Sequence, residues 1–161
     1  MKYMYTAFIP EGVKYLQRSE TLDLDTTSMT EVLTCFTNEV SADYYVMTHT
    51  TAPFISKESI QKGIEAVLSG DYDSAFAAKK LQDFLWKDGI PFNYDLTKIP
   101  RTQDLQPLYE ETSGFYIYKK EVMDKLHRRI GDKPYIDEAE DFQIADAIYN
   151  FWFKKDVSAN E

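Results

Sequence analysis

The chain has 161 residues, 43% of them hydrophobic, and a formal net charge of −9, enough for one domain with a real core and short of two ordinary ones. The acidic excess excludes the broad basic surface that nucleic-acid backbones need, and no segment approaches the ~20 apolar residues of a membrane span. The single Cys35 rules out an intrachain disulfide, the start lacks the features of a secretion signal, and a cytoplasmic location is the expectation.

In chain order, residues 13–17 read as a short strand followed by an acidic, turn-rich connection. Ser28 then opens a helix with Glu31 three residues on, a capping-box spacing, and Met29, Val32, Leu33, Phe36 and Val40 fall on one side. Residues 44–49 are rich in Tyr and Val and read as a second strand. Pro53 closes it, Ser56 can cap the next helix, Ile60, Ile64, Val67 and Leu68 form that helix's stripe, and Gly70 suits its C′ position. Strand, helix, strand, helix predicts a βαβ unit with parallel strands. A β-like run follows from Asp73 to Trp86, with a hairpin turn at 87–89. Residues 90–113 are aromatic and irregular, the texture of a functional or interface loop. Residues 114–118 read as a third strand, Val122, Met123 and Leu126 as a short helix, and Phe142, Ala145, Ile148, Tyr149 and Trp152 as one face of a final helix.

In open α/β sheets small ligands sit beyond the carboxyl ends of strands, which points to the corner around His49, Thr50 and Thr51. Asp137 ends a short apolar run just before the last predicted helix. It reads either as an N-cap completed by Glu140 or as a carboxylate able to hold Mg²⁺. A lone His at a strand end can be structural or can donate to a ligand. With no second His or Cys at ligand spacing, zinc is not supported. Lys79 and Lys80 point to opposite sheet faces. His127, Arg128 and Arg129, at a helix end, complement its dipole. Arg101, in the irregular region, is either solvated or a ready partner for an anion, since its guanidinium can bond two oxygens at once. The six glycines are scattered through the chain, so no Gly-rich phosphate cradle is present.

Taken together, these stretches resemble the acylneuraminate cytidylyltransferases, which activate sialic acid and related nonulosonic acids. Residues 13–29 resemble the family's Arg-containing segment before an Asp/Thr/Ser-rich helix start. Residues 48–55 are similar to the QPTSPLR motif, with His49 in place of Gln and Thr51, Ala52 and Pro53 at the TSP positions. Residues 101–107 and 112–118 are similar to RxQxLxP and NGAxYI, with Ser113 at the Asn position, and residues 136–145 follow IDTxxDLxxA.

The resemblance implies a Rossmann-like three-layer αβα sandwich with a mixed, mostly parallel sheet, usually dimeric. It implies transfer of CMP from CTP to a 2-keto sugar acid with release of pyrophosphate, supported by Mg²⁺. On that mapping Asp137 is the metal ligand, and Arg101, Gln103, Lys80, His49 and Thr51 contact the sugar acid or phosphates. Tyr135 stands where the family often has a further Asp. The family's first strand and its Gly- and Lys-containing nucleotide loop have no counterpart here. The expectation is therefore a single, N-terminally shortened domain over residues 1–161, with residues 90–113 as a dimerisation or substrate loop and CTP binding weak or absent. The alternative is a non-catalytic remnant that dimerises and binds a sugar acid or a partner subunit.

Overall fold

Side-chain caps start both long helices where the sequence places them. In the computed structural model, which describes residues 11–138, Ser28 Oγ accepts from Glu31 N and Glu31 Oε2 accepts from Ser28 N, so the capping box is complete ahead of α1 (Met29–Glu39). Ser56 Oγ accepts from Ser59 N to open α2 (Lys57–Leu68), and Gly70, at φ +87°, takes the left-handed position just beyond its C-cap.

The described residues divide into two compact units between Ser41 and Ala42. In the first, a 3₁₀ turn (Glu20–Asp23) precedes α1. Residues 13–17 join no ladder, which corrects the strand expected there. Of the apolar stripe on α1, Leu33 is buried with Thr37, while Met29, Phe36 and Val40 stay exposed.

The second unit is built on a four-stranded sheet in the order β1-β5-β2-β6, formed by β1 (Tyr44–Thr48), β2 (Ser74–Leu81), β5 (Leu108–Lys119) and β6 (Pro134–Glu138). A two-residue ribbon, β3 (Trp86–Lys87) with β4 (Ile90–Pro91), stands apart, turned by Asp88 and Gly89 at φ +52° and +79°; both residues left-handed is the signature of a tight hairpin. Short α3 (Lys120–Leu126) follows β5 directly. No helix among the described residues is long and apolar enough to cross a membrane. The final helix expected after Asp137 lies outside the described residues.

The architecture is α/β and compatible with a Rossmann-like nucleotidyltransferase fold, but the sheet corrects one expectation. β5 runs antiparallel to both β1 and β2, and only β2 and β6 pair in parallel. β1, α2 and β2 keep the sense of a βαβ crossover because β1 and β2 point the same way. β5 is threaded between them, so the two strands are not neighbours as the pattern implied. β5 is also far longer than the 114–118 expected, beginning at Leu108 and so taking up the end of the supposed irregular region.

Alternation along the strands defines two faces. On one, Val67 of α2 packs with Ala75, Ala77, Phe115 and Ile117, joined by Ile55, Ile60 and Ile64. The helix comes close because of Gly63: a Cβ there would lie 2.8 Å from Ile117 Cδ1 and Phe115 Cε2. Leu68, expected in the stripe, is exposed. On the other face, the Tyr116 face, Phe76, Ala78 and Tyr116 pack with Met47, Ile130 and Ile136.

One polar device sets the β2–β6 pairing. Asp73 accepts from Ser74 Oγ at 2.8 Å, from Asp132 N at 2.8 Å and from Lys133 N at 3.0 Å. Ser74 Oγ accepts from Gly131 N at 2.8 Å. The backbone of Asp73 also donates to Lys133 O and accepts from Lys119 N, tying it to the start of β6 and the end of β5. A side chain at Gly131 would land on the Asp73 carboxylate, so glycine keeps that approach open. Partial burial opposes ionisation of Asp73, but the hydrogen bonds from Ser74, Lys133 and Asp132 outweigh it and hold the carboxyl below its ordinary value.

A carboxylate whose folded pKa is depressed adds stability above its unfolded value, near 3.9, and that contribution fades as pH falls through the folded value. Asp73→Asn should therefore lower stability at neutral pH by about 1–3 kcal/mol. In urea melts across pH, the gap between wild type and variant should narrow below about pH 4; a gap independent of pH would refute this role for the charge.

Candidate functional site

β1, β2 and β6 all end at one edge of the sheet, which is the edge where α/β sheets bind ligands. Parallel pairing puts Asp137 opposite Ala77, one residue from the end of β6. It is 5% exposed, and its Oδ2 is buried with no hydrogen-bond partner among the described residues. Asp137 is thus a strand residue, which corrects the reading of it as an N-cap; Glu140, the other half of the expected box, lies outside the described residues.

A buried carboxylate oxygen left unpaired costs free energy, which any added hydrogen-bond donor or cation at this position would offset. Hard divalent cations take oxygen ligands, and Mg²⁺ in particular is held by one or two carboxylates together with waters and phosphate oxygens. Among the described residues no three His, Cys, Asp or Glu side chains converge. The chemistry present fits a single-carboxylate site that a phosphate would complete, not an all-protein cage.

Beside Asp137, β5 breaks register. Phe76 faces Tyr116 while Ala78, two residues on, faces Glu111, five residues back. The extra residues form a bulge in which Ser113 takes φ +58°. A non-glycine residue held left-handed beside a candidate site is a local cost that the surrounding pairing sustains. Thr112 Oγ1 donates to Ala77 O at 3.1 Å. At Gly114 a Cβ would meet Ile55 Cδ1 at 3.0 Å and Ala77 Cβ at 3.1 Å, so glycine lets the chain after His49 close onto the strand that carries Asp137's partner.

Past His49 the chain turns through Ala52 N donating to His49 O at 3.0 Å, leaving Thr50 and Thr51 exposed. Ile55, at the far end of the turn, packs on the α2 face that Asp137 shares by alternation. His49 goes the other way: its ring meets Tyr116 edge-on at 6.2 Å, and its Nε2 is buried without a partner among the described residues. The corner therefore spans the sheet end, with one orphaned polar atom on each face.

Lys80 is exposed and lies 3.9 Å from Glu138 Oε1, which also accepts from Tyr109 Oη at 3.2 Å. Gln82 Nε2 donates to Gln103 O and Leu105 O at 3.1 and 2.9 Å, which tethers the 101–105 segment to the end of β2 and brings Gln103 to this edge. Arg101 is engaged within its own loop: Nε and Nη2 bond both oxygens of Asp104 at 2.8 and 3.0 Å.

Lys80 and Gln103 thus join the edge that Asp137 and the His49–Thr51 corner occupy, whereas Arg101 spends its fork on Asp104. Sequence reasoning passed over Glu138, Tyr109 and Gln82. Tyr109 and Glu111 alternate along β5 on the face of Lys80, a signal masked by the assumption that β5 began at residue 114. Gln82 gave no local signal, because its partners lie more than twenty residues away.

Asp137→Asn preserves shape and removes the unpaired charge, so thermal melting should show stability equal to wild type or higher, the usual relation between a functional site and stability. Calorimetric titration with Mg²⁺ and a nucleoside triphosphate should then detect at least tenfold weaker metal uptake by the variant. A marked drop in melting temperature would assign the carboxylate to structure instead.

The sequence profile described as Cytidylyltransferase matches residues 5–159. The chain is also similar to N-acylneuraminate cytidylyltransferase A of Danio rerio, 23% identical over 142 residues, covering 83% of this chain and 33% of the fish protein. It spans about a third of the length of that relative.

Proposed function

The chain belongs to the cytidylyltransferase family, and from that premise we propose that its sheet edge serves the transfer of CMP from CTP to a sialic-acid-like 2-keto sugar acid. The observation that carries this reading is Asp137, a buried carboxylate at the carboxyl end of a parallel strand, one of whose oxygens has no partner among the described residues. In the reaction an anomeric hydroxyl oxygen bonds to the α-phosphorus, the bond from that phosphorus to the bridging oxygen breaks, and pyrophosphate leaves while the hydroxyl gives up its proton. Little covalent chemistry falls to the protein; its task is positioning and neutralising charge.

Asp137 would hold Mg²⁺ by its free oxygen, and the bound ion supplies charge neutralisation on the phosphates. Lys80 stands ready for a phosphate: its exposed pairing with Glu138 is worth at most ~1 kcal/mol and is easily exchanged. Thr51 and Gln103 present exposed polar side chains at the same edge. His49 Nε2 offers a hydrogen bond to the sugar acid from the Tyr116 face. Arg101 joins only by releasing Asp104, an exposed pair that an arriving anion can displace. A cytoplasmic setting agrees with the lone, partly buried Cys35.

Pyrophosphate release from CTP, Mg²⁺ and an N-acylneuraminate tests the reading. Asp137→Ala should lower the rate at least ~100-fold, about 2.7 kcal/mol of transition-state stabilisation. Release by neither form with any sugar acid, alongside retained sugar binding, would favour the non-catalytic alternative.

Homodimerisation belongs to the same proposal. Trp86, Ile90, Phe92, Leu96 and Ile99 are each more than half exposed along the hairpin and the segment after it. Five large apolar side chains exposed within fourteen residues suit an interface, and a two-fold pairing would bury them. Sedimentation should give twice the 18.8 kDa chain mass, and Phe92→Asp should return the monomer; a monomeric wild type at micromolar concentration would contradict this.

A further inference from the structure

Arg129 lies between α3 and β6, where a helix-end cation is expected to do no more than complement a dipole. The structure gives it a different setting. Its guanidinium carbon sits 3.8 Å above the centroid of the Tyr116 ring, a cation–π stack, and its side chain keeps a quarter of its surface open to solvent. Among the described residues its ion-pair partner is Glu111, 3.8 Å from Nη2, within ion-pair range but too far for a hydrogen bond. Glu111 is otherwise occupied, accepting from Tyr116 Oη at 2.8 Å. A guanidinium has five N–H donors, and no hydrogen bond from Arg129 is present among the described residues. The same Tyr116 ring carries His49 on its edge, with Nε2 buried and without a partner among the described residues.

We propose that Arg129 forms an oxyanion-binding subsite on the Tyr116 face, and that Glu111 is its internal counter-ion, displaced when a ligand carboxylate or phosphate arrives. The aromatic stack fixes the plane of the guanidinium, leaving its edge donors to take two oxygens at once. His49 Nε2 is a second polar contact beside the same ring. The ligand class, the carboxylate of a sugar acid or a phosphate chain, rests on the transferase reading; the subsite itself rests on the stack, the loose ion pair and the orphaned imidazole nitrogen.

The Nε–Hε resonance of Arg129, assigned by its loss in Arg129→Lys, reports binding without any need for turnover. The probes are an N-acylneuraminate, its uncharged methyl ester and inorganic pyrophosphate, each at millimolar concentration. A shift with the acid and not the ester assigns the sugar carboxylate; a shift with pyrophosphate alone assigns the triphosphate tail; either supports the subsite. Arg129→Lys should weaken anion binding about tenfold, because the fork is lost although the charge remains. Glu111→Gln should strengthen it several-fold, since the competing charge is gone while an acceptor for Tyr116 is kept. A gain of affinity cannot come from loss of structure, so the opposite signs separate recognition from folding. An Arg129 signal unmoved by all three probes, or equal affinities in wild type and both variants, would overturn the proposal. Wild-type pyrophosphate release with an unmoved Arg129 removes only the subsite, whereas a shifted Arg129 without release removes only the transfer reaction.

Discussion

Everything at the candidate site depends on where β6 lies against β2, and that is set by the Asp73–Ser74 clamp at the other end of the strands. A parallel pair cannot be registered by a tight turn, because the chain must travel away and return. Here the returning segment is caught by one carboxylate and one hydroxyl that together accept three backbone N–H groups, from Gly131, Asp132 and Lys133. Charge-assisted bonds of this kind are directional. Once they form, Pro134 sits opposite Ser74 and Asp137 falls opposite Ala77. A slip of one residue would turn Asp137 to the Tyr116 face and put Ile136 or Glu138 opposite Ala77.

The same sheet shows how a site is assembled from parts with no local reason to meet. β5, antiparallel between β1 and β2, supplies the bulge that holds Ser113 left-handed and brings Gly114 under Ile55. The corner after β1 thereby closes over Ala77, while its first residue, His49, stays on the opposite face against Tyr116. Asp137 and His49, which among the described residues carry buried unpartnered atoms, therefore address the sheet end from its two sides. A ligand with a metal-bound phosphate at one end and an acidic sugar at the other has the polarity to engage both.

Much of the local structure was legible in the chain. Ser28 with Glu31, Ser56, Gly70 and the Asp88–Gly89 turn announce themselves because each interaction spans at most a few residues and depends on side-chain type alone. The strands at 44–48 and within 114–118 were equally plain from their Tyr, Val and Ile content. The first half of β5 was not, since Leu108 to Ser113 is polar and only its pairing with Ala78 to Leu81 makes it a strand. Residues 13–17 erred the other way: an apolar run with no partner strand among the described residues forms no ladder.

For the site, residue types in sequence singled out Asp137, His49, Thr51, Lys80 and Arg101, and the order of the motifs resembled one family and added Gln103 by that mapping. Composition also bounded the partners, since a charge of −9 disfavours nucleic acid. Only the tertiary structure decided that Asp137 is a buried strand residue with a free oxygen, that Arg101 is held by Asp104 and that Arg129 stacks on Tyr116. The reason is physical. Caps and turns are satisfied within a few residues, so sequence spacing suffices to find them. Burial, the facing of a strand and the partner of a charge depend on chain segments tens of residues apart, whose meeting is settled by pairing register and packing.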